Sequence, residues 1–585
     1  MHAISRSKAA AIVPLALLVA CSGGTTSSLP AIVSPSHVTT ASTFRTPAKA
    51  PLAVRIRVPK ASVVVGRRRS AFVSPSTRGM TIAIAGPRGF HTNVVAGLTP
   101  SSPGCVAGAH ATTCTLSAGE LAACSKRNCY TATIKTYDAV SCTSACTIPR
   151  TAHELSAAQN VGFNVAAGTS NNLTFALGGI PQSISLLPLA PGYLKGDASQ
   201  LRLWGQTSQQ LIVTPLDADN NAIVGTGAPT ISASSGAGSL VVSNPSAQAP
   251  NVVTLHASTS GTPPVVTPGI VNLTLTATPA SGTPVRLTVP VTIAHSSVYI
   301  GNITVLVGYF DGNVTTPSVS IGGSNTLLTS VIQPIAIDDR GSVYAVNGST
   351  NAIYEFAPGA NGNVAPANVI TGANTGLNTP TGMAVDSAGT VYVSNNGNST
   401  LTEYPAGSSG NVFPSVTVEG AGSLLVSPLQ IALDPVGNIY VANGTARIFT
   451  ILPAGASGFT DALASINGPA TDNSGATQIT MLSDGTLCAL VTSYLGTGNE
   501  AVLEYAPGAY GNAAPARVLT GTATMLDSSS GIAADAAGDL YVADNTTVTE
   551  YAPGASGNAA PIATYNPGVG ANTFSVAVYP TGTTP

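Results

Sequence analysis

Apolar and polar residues alternate in short bursts along most of the chain, and no stretch sustains a helical period. Strings such as MTIAIAG from Met80, YTATIKTYDA from Tyr130, VNLTLTATP from Val271 and VRLTVPVTIA from Val285 place an apolar or β-branched residue at nearly every second position. That period of two predicts half-buried strands, and the Gly, Pro, Asn and Ser clusters between them predict turns. Beyond about residue 296 the bursts become periodic. Strings of one type begin at Ile335 (IAIDDRGSVYAVN), Met383 (MAVDSAGTVYVSN), Ile431 (IALDPVGNIYVAN), Ile479 (ITMLSDGTLCALV) and Ile532 (IAADAAGDLYVAD), 48, 48, 48 and 53 residues apart. A sixth copy is split: VAVYPTGTTP begins at Val576, and its continuation, VYIGN, lies at Val298.

Each copy reads as an inner strand of apolar and small residues, a tight turn and a second strand. The turn carries Gly in all six copies (Gly341, Gly389, Gly437, Gly485, Gly538, Gly582) and opens with Asp in four (Asp338, Asp386, Asp434, Asp535). Gly supplies positive φ, and Asp at a turn start caps backbone amides. Strings such as EYAPGAYGN from Glu504 and EYAPGASGN from Glu550 add an outer strand and a Gly-rich turn. Repeats that cannot bury a face alone must stack, and a ring removes its free edges when its last sheet combines strands from both ends of the repeat region. The split copy predicts that closure, one strand near 575–579 joining three from 298–321, and a six-bladed β-propeller over residues 296–585. Together the strings resemble NHL-type propeller repeats, although the basic residue usual in that pattern is mostly missing here.

The preceding residues divide into a cysteine-rich part (52–187) and a second β-rich part (188–295). Their strand spacing resembles immunoglobulin-like β-sandwich modules, which completes an all-β chain of two sandwiches and a propeller. Six cysteines fall in the first module: Cys105, Cys114, Cys124, Cys129, Cys142 and Cys146. In an exported domain an even count predicts three disulfides, and the preferred pairing joins sequence neighbours. Zinc is the rival use, with His110 and His153 nearby, but the spacing is loose. The run Arg67-Arg68-Arg69 suits a solvated strand edge. In the second module Asp217, Asp219 and Asn221 match the opening of an EF-hand loop, yet Ala222 and Ala228 stand where that loop needs Gly and Glu. A turn with Asn at positive φ is the simpler expectation.

The N-terminus supplies an address. Arg6 and Lys8 precede an apolar stretch over residues 9–20, too short to span a bilayer and suited to a signal-peptide core. It runs into Leu18-Val19-Ala20-Cys21, which resembles the lipobox of bacterial lipoproteins. The resemblance implies cleavage after residue 20, lipid on Cys21, and a membrane anchor; Ser22 in place of Asp favours the outer membrane or cell surface over the inner membrane. Residues 21–51, rich in Ser, Thr, Ala and Pro, read as a tether.

Charge refines this picture. Only 8% of residues are charged, against about 25% in ordinary soluble proteins. Residues 1–295 carry 19 basic and 6 acidic residues; residues 296–585 carry three Arg, no Lys and 18 acids. Basic residues are not interleaved with aromatics, which argues against nucleic acid as a partner. No Ser-His-Asp, P-loop or dinucleotide pattern is present, and no His follows His295. No catalytic residue, metal ligand or cofactor is therefore assigned. The polar residues that end the second strands, Asn302, Asn347, Asn395, Asn443 and Asp544, are candidates for the rim of a channel mouth. Glu355, Glu403, Glu504 and Glu550 read as alternating exposure on an outer strand, and no acid stands out from the repeat. Cys488, in a register otherwise held by Tyr, reads as a buried thiol. The expected function is binding or scaffolding of a protein, glycan or small ligand at the envelope. The alternative is a hydrolase similar to calcium-dependent gluconolactonases, in which case carboxylate and amide oxygens would converge on the propeller axis.

Overall fold

The computed structural model describes residues 48–60, 73–124, 128–189, 192–262, 264–330, 332–444, 446–472, 476–496, 499–568 and 573–580. The signal segment, Cys21, the Arg67-Arg68-Arg69 run and Gly582 lie outside them. No helix among the described residues is long and apolar enough to cross a membrane.

The alternating strings form strands where expected. In the first module a four-stranded sheet (Asn171–Leu173, Lys49–Pro59, Ala111–Ala122, Cys105–Ala107) faces a five-stranded one (Gly178–Gly179, Glu154–Phe163, Tyr130–Tyr137, Gly79–Ala85, His91–Gly97). Leu52, Val54 and Ile56 from one sheet and Met80, Ile82 and Ile134 from the other form a shared core. The first strand begins at Lys49, inside the segment read as tether. Three disulfides join Cys105 to Cys114, Cys124 to Cys129 and Cys142 to Cys146. They are the sequence-neighbour pairs; each closes a local hairpin or loop, and with their sulfurs so bonded these cysteines are not zinc ligands. They also point to an oxidising, extracytoplasmic location.

The second module repeats the two-layer plan. Ser183–Pro188, Gln209–Leu216, Val252–Ala257 and Leu240–Ser243 form one sheet; Leu194–Gly196, Leu201–Trp204, Val285–Ala294, Gly269–Thr278 and Thr230–Ser235 form the other. Because Ser183–Pro188 pairs with Gln209–Leu216, the boundary between modules falls before residue 183, not at 187. Asp217 is buried and its carboxylate accepts hydrogen bonds from Asp219 N (3.0 Å), Asn221 N (2.9 Å) and, from the first module, Ser74 Oγ (2.5 Å). Asn220 takes the positive φ. The EF-hand-like string is therefore a turn that pins the two modules together.

From residue 297 onward the described residues form six four-stranded antiparallel sheets, called blades below, in a fold of β-propeller type. In the closing blade, Ser575–Tyr579 pairs with Ser297–Gly301, followed by Val305–Phe310 and Val319–Gly322. The next five blades begin with Ile335–Ile337, Pro380–Val385, Pro428–Leu433, Ala476–Met481 and Gly531–Ala534 and are called first to fifth. The outermost strand of one blade bridges the Gly-rich turn of the next at Ile321–Gly362, Ile370–Gly410, Val418–Gly458, Ile466–Gly511 and Leu519–Gly557. No such bridge joins the fifth blade to the closing blade among the described residues.

Candidate functional site

The turn Asp residues do what the sequence implies. Asp338 Oδ1 accepts Arg340 N and Ser342 N at 2.9 and 2.8 Å, and Asp434 Oδ1 accepts Val436 N and Asn438 N at 3.0 and 2.8 Å. Their second oxygens reach further than expected. Asp338, Asp386 and Asp535 each accept the hydroxyl of the in-register Tyr six residues on, at 3.3 Å. That Tyr pairs across the sheet with the recurring Glu: Tyr344 with Glu355, Tyr392 with Glu403, Tyr541 with Glu550. Expectation and structure part here. Glu403 and Glu504 are buried and Glu355 and Glu550 partly so, because the third strand of a blade is covered on both faces by neighbouring blades. Burial, then Asp386, pushes the Glu403 carboxyl up to about 7. In the fourth blade Leu482 and Cys488 replace Asp and Tyr. Glu504 keeps one oxygen for Arg517 Nε (2.5 Å), and its Oε1 is buried with no donor.

Four of the five strand-end residues lie inside the blades and not at a mouth, and Asn302 is partly exposed. Asn347, Asn395, Asn443 and Asp544 are at most 3% exposed. Asn302 and Asn347 cap the following loop, accepting Val305 N (2.9 Å) and Ser349 N (3.1 Å). Asn395 and Asn443 hold the preceding loop through Asn378 N (3.0 Å) and Val426 N (2.8 Å), and Asp544 accepts Thr549 Oγ1 at 2.7 Å. A polar group at the end of a covered strand depends on partners inside the blade; each of these side chains bonds backbone or hydroxyl groups, while Asn347 Nδ2 is buried with no acceptor among the described residues. The residues that line the axis were not singled out from the sequence. The six inner strands enclose a central cavity of about 100 Å³, walled by Ile, Val, Ala, Met and Leu with Gln430 and Thr480, and no carboxylate is among its lining residues. Gln430 donates to Met383 O at 3.3 Å and its Oε1 is buried without a partner. The space suits a few waters.

A larger cavity, about 450 Å³, lies where the fifth blade, the closing blade and the second module meet. Tyr193 from the module, Tyr309 from the closing blade, and Tyr541 and Tyr565 from the fifth blade line it, with Asp535, Asp539, Glu550 and Asp311. Two of the carboxylates are fully engaged. Asp535 accepts Ala537 N and Asp539 N, both at 2.9 Å, on one oxygen and the Tyr193 and Tyr541 hydroxyls on the other. Asp311 accepts Ser296 N, Val266 N and His295 Nδ1 at 3.0, 2.9 and 2.8 Å. Glu550 accepts the Tyr565 hydroxyl at 2.8 Å. Among the described residues Asp539 makes no side-chain hydrogen bond, and burial together with Asp535 and Glu550 pushes its carboxyl up to about 7. Among the described residues no Lys, Arg or His lines the space. The sequence did hold a signal: the residue after the turn Gly is Ser342, Thr390, Asn438, Thr486 and then Asp539, so one blade departs from its repeat with an acid. No group of three or more His, Cys, Asp or Glu able to hold a metal occurs among the described residues.

The NHL repeat family model matches residues 377–404, the second blade. Among curated proteins none matches the sequence. A protein of unknown function from Bacteroides caccae is similar over 49% of this chain and 99% of its own, with 9% identity and a TM-score of 0.36. Virginiamycin B lyase from Staphylococcus aureus is similar over 38% of this chain and 66% of its own, at 15% identity and a TM-score of 0.27. A gluconolactonase from Xanthomonas campestris is similar over 41% of this chain and 77% of its own, at 15% identity and a TM-score of 0.30.

Proposed function

We propose that this chain is an envelope-anchored binding protein: lipid on Cys21 holds it to the outer membrane or cell surface, two immunoglobulin-like modules carry a six-bladed NHL-like propeller, and a small ligand enters the cavity between the second module and the propeller. The observation that carries the binding role is the contrast between the two cavities. The axial one is narrow and walled mainly by aliphatic side chains, whereas the lateral one has the size and mixed aromatic and polar lining of ligand sites at domain interfaces. The extracytoplasmic setting agrees with the three disulfides.

Filling the lateral cavity tests this reading. Ala537 lines it from a turn position that holds Arg340 and Val436 in other blades, both exposed, so the turn accepts a large side chain. The mature full chain and Ala537→Phe are screened side by side against a library of small envelope metabolites by thermal shift. Compounds that raise the melting temperature of the parent and not of the variant are expected; a library whose shifts are all indifferent to Ala537→Phe sinks the lateral site.

A further inference from the structure

We propose that the cavity between the fifth blade, the closing blade and the second module binds a small organic ammonium ion, its charged head set against Asp539 and Glu550 and enclosed by the rings of Tyr193, Tyr541 and Tyr565. This inference rests on the lateral site being a binding site and names the class of ligand.

Space separates this site from its counterparts. The same Tyr and Glu pair recurs between the first and second blades as Tyr344 and Glu355, and there the residual cavity is only about 10 Å³. The repeat closes that junction with the bridge from Ile370 to Gly410. Where the two ends of the propeller meet, the cavity is about 450 Å³. Two further departures from the repeat border the opened space. Asp539 replaces a neutral residue, and Tyr565 stands where Ile321, Ile370, Val418, Ile466 and Leu519 pack in the other outer strands.

Chemistry selects among ligands. An anion would face several carboxylates and no basic side chain. A bare metal ion would need ligands converging at about 2.3–2.6 Å, and the described acids do not cluster that closely. A neutral ligand would leave the unpartnered Asp539 carboxylate with no opposite charge. An ammonium head on a carbon frame satisfies both features of the wall: carboxylates neutralise it, and aromatic faces attract a cation through their quadrupoles. The ring centroids of Tyr541 and Tyr565 lie 6.2 Å apart, and Tyr565 keeps its hydroxyl on Glu550, so an aromatic face and an acid are presented together.

The test is calorimetric titration of the mature full chain at pH 8 and low salt with choline chloride. Its neutral carbon isostere, in which tert-butyl replaces trimethylammonium, and potassium chloride serve as controls. Choline is expected to bind, the isostere about tenfold more weakly or worse, and potassium chloride to give no saturable heat. Asp539→Asn is expected to cost choline affinity about tenfold without loss of folding, because Asn438 fills the equivalent position in the third blade. A second variant does not depend on the probe. Ala537→Arg places a guanidinium beside the acids and is expected to abolish choline binding and raise the melting temperature; Asp539→Asn in the same chain should cancel that rise. Equal binding of choline and its isostere, both blocked by Ala537→Arg, overturns the ammonium class and leaves the lateral binding site standing. No choline binding together with no rise for Ala537→Arg overturns the inference, and the Ala537→Phe screen decides the site itself independently.

Discussion

At the scale of single residues, the propeller stores ionisable groups where its blades touch. A carboxyl on the third strand of a blade is roofed by the neighbouring blade, and desolvation disfavours its charged form. Glu403 shows the consequence most simply: its carboxyl sits at about 7 instead of its ordinary 4.5. A raised acid pKa means that the folded state holds its proton longer than the unfolded state. The contribution of Glu403 to stability is therefore fully present below about pH 4.5 and declines as pH rises through about 7. Glu403→Gln should flatten that decline, and at pH 8 it should be more stable than the parent by on the order of 1 kcal/mol. Chemical denaturation of both chains at pH 4.5 and pH 8 checks this; an unchanged difference between the two pH values would show that Glu403 titrates normally. Cys488 follows the same physics, since burial raises its thiol pKa, as expected of a small buried side chain and not of a nucleophile. That the recurring Glu would be buried was not legible from alternation, because period two identifies two faces of a strand and a propeller covers both.

At the scale of elements, the repeat encodes the joints between blades as well as the blades. The GN pair of the Gly-rich turn illustrates this. Gly410 bridges Ile370 of the preceding blade, and Asn411 Oδ1 accepts Asn374 N at 2.7 Å. Gly372 makes room for that Asn: its φ is +122°, and a Cβ there would lie 2.4 Å from Asn411 Oδ1. The same partnership recurs as Gly323 with Asn363, Gly468 with Asn512 and Gly521 with Asn558, while Phe459 takes the Asn position against Gly420. Asn411→Ala should cost about 1 kcal/mol through the lost acceptor, and Gly372→Ala clearly more, because it combines a disfavoured φ with a clash. Urea melts of the full chain measure both. Equal losses for the two variants would remove the steric half of this account.

At the scale of the whole molecule, the second module is fastened over the place where the propeller closes. Arg202 donates to Asp339 O at 2.5 Å and Gln206 to Asp311 O at 2.8 Å, while Tyr193 donates to Asp535. Trp204, 3% exposed, packs edge-on against Tyr579 of the closing strand with centroids 5.8 Å apart. These contacts span the closing, first and fifth blades and so cross the fifth-to-closing junction, where the described residues show no bridge between outer strand and turn. Trp204→Ala should lose about 3–5 kcal/mol and lower the unfolding of module and propeller together in calorimetry. A variant in which only the module transition moved would show that the propeller closes without it. The same fastening encloses the lateral cavity, so clamp and candidate site share the residues around Tyr193 and Asp535.

The sequence by itself determined what is local or repeated. Period-two alternation specified the strands, the 48-residue spacing specified the blades, and the split copy specified which chain ends meet, since Ser575–Tyr579 does pair with Ser297–Gly301. The turn caps of Asp338 and its equivalents and the neighbour pairing of the cysteines were legible for the same reason: each partner lies within a few residues. Tertiary structure alone decided which surfaces face each other. It turned Asn347, Asn395, Asn443 and Asp544 inward, buried Glu403 and Glu504, and left the axis lined mainly by aliphatic residues. It also brought Tyr193 to Asp535 across 342 positions of chain, opening a cavity at a junction that no repeat pattern describes. Asp539 shows the boundary between the two. Its departure from the repeat is visible in sequence, but its lack of a partner depends on the neighbouring blade and module, and therefore on packing.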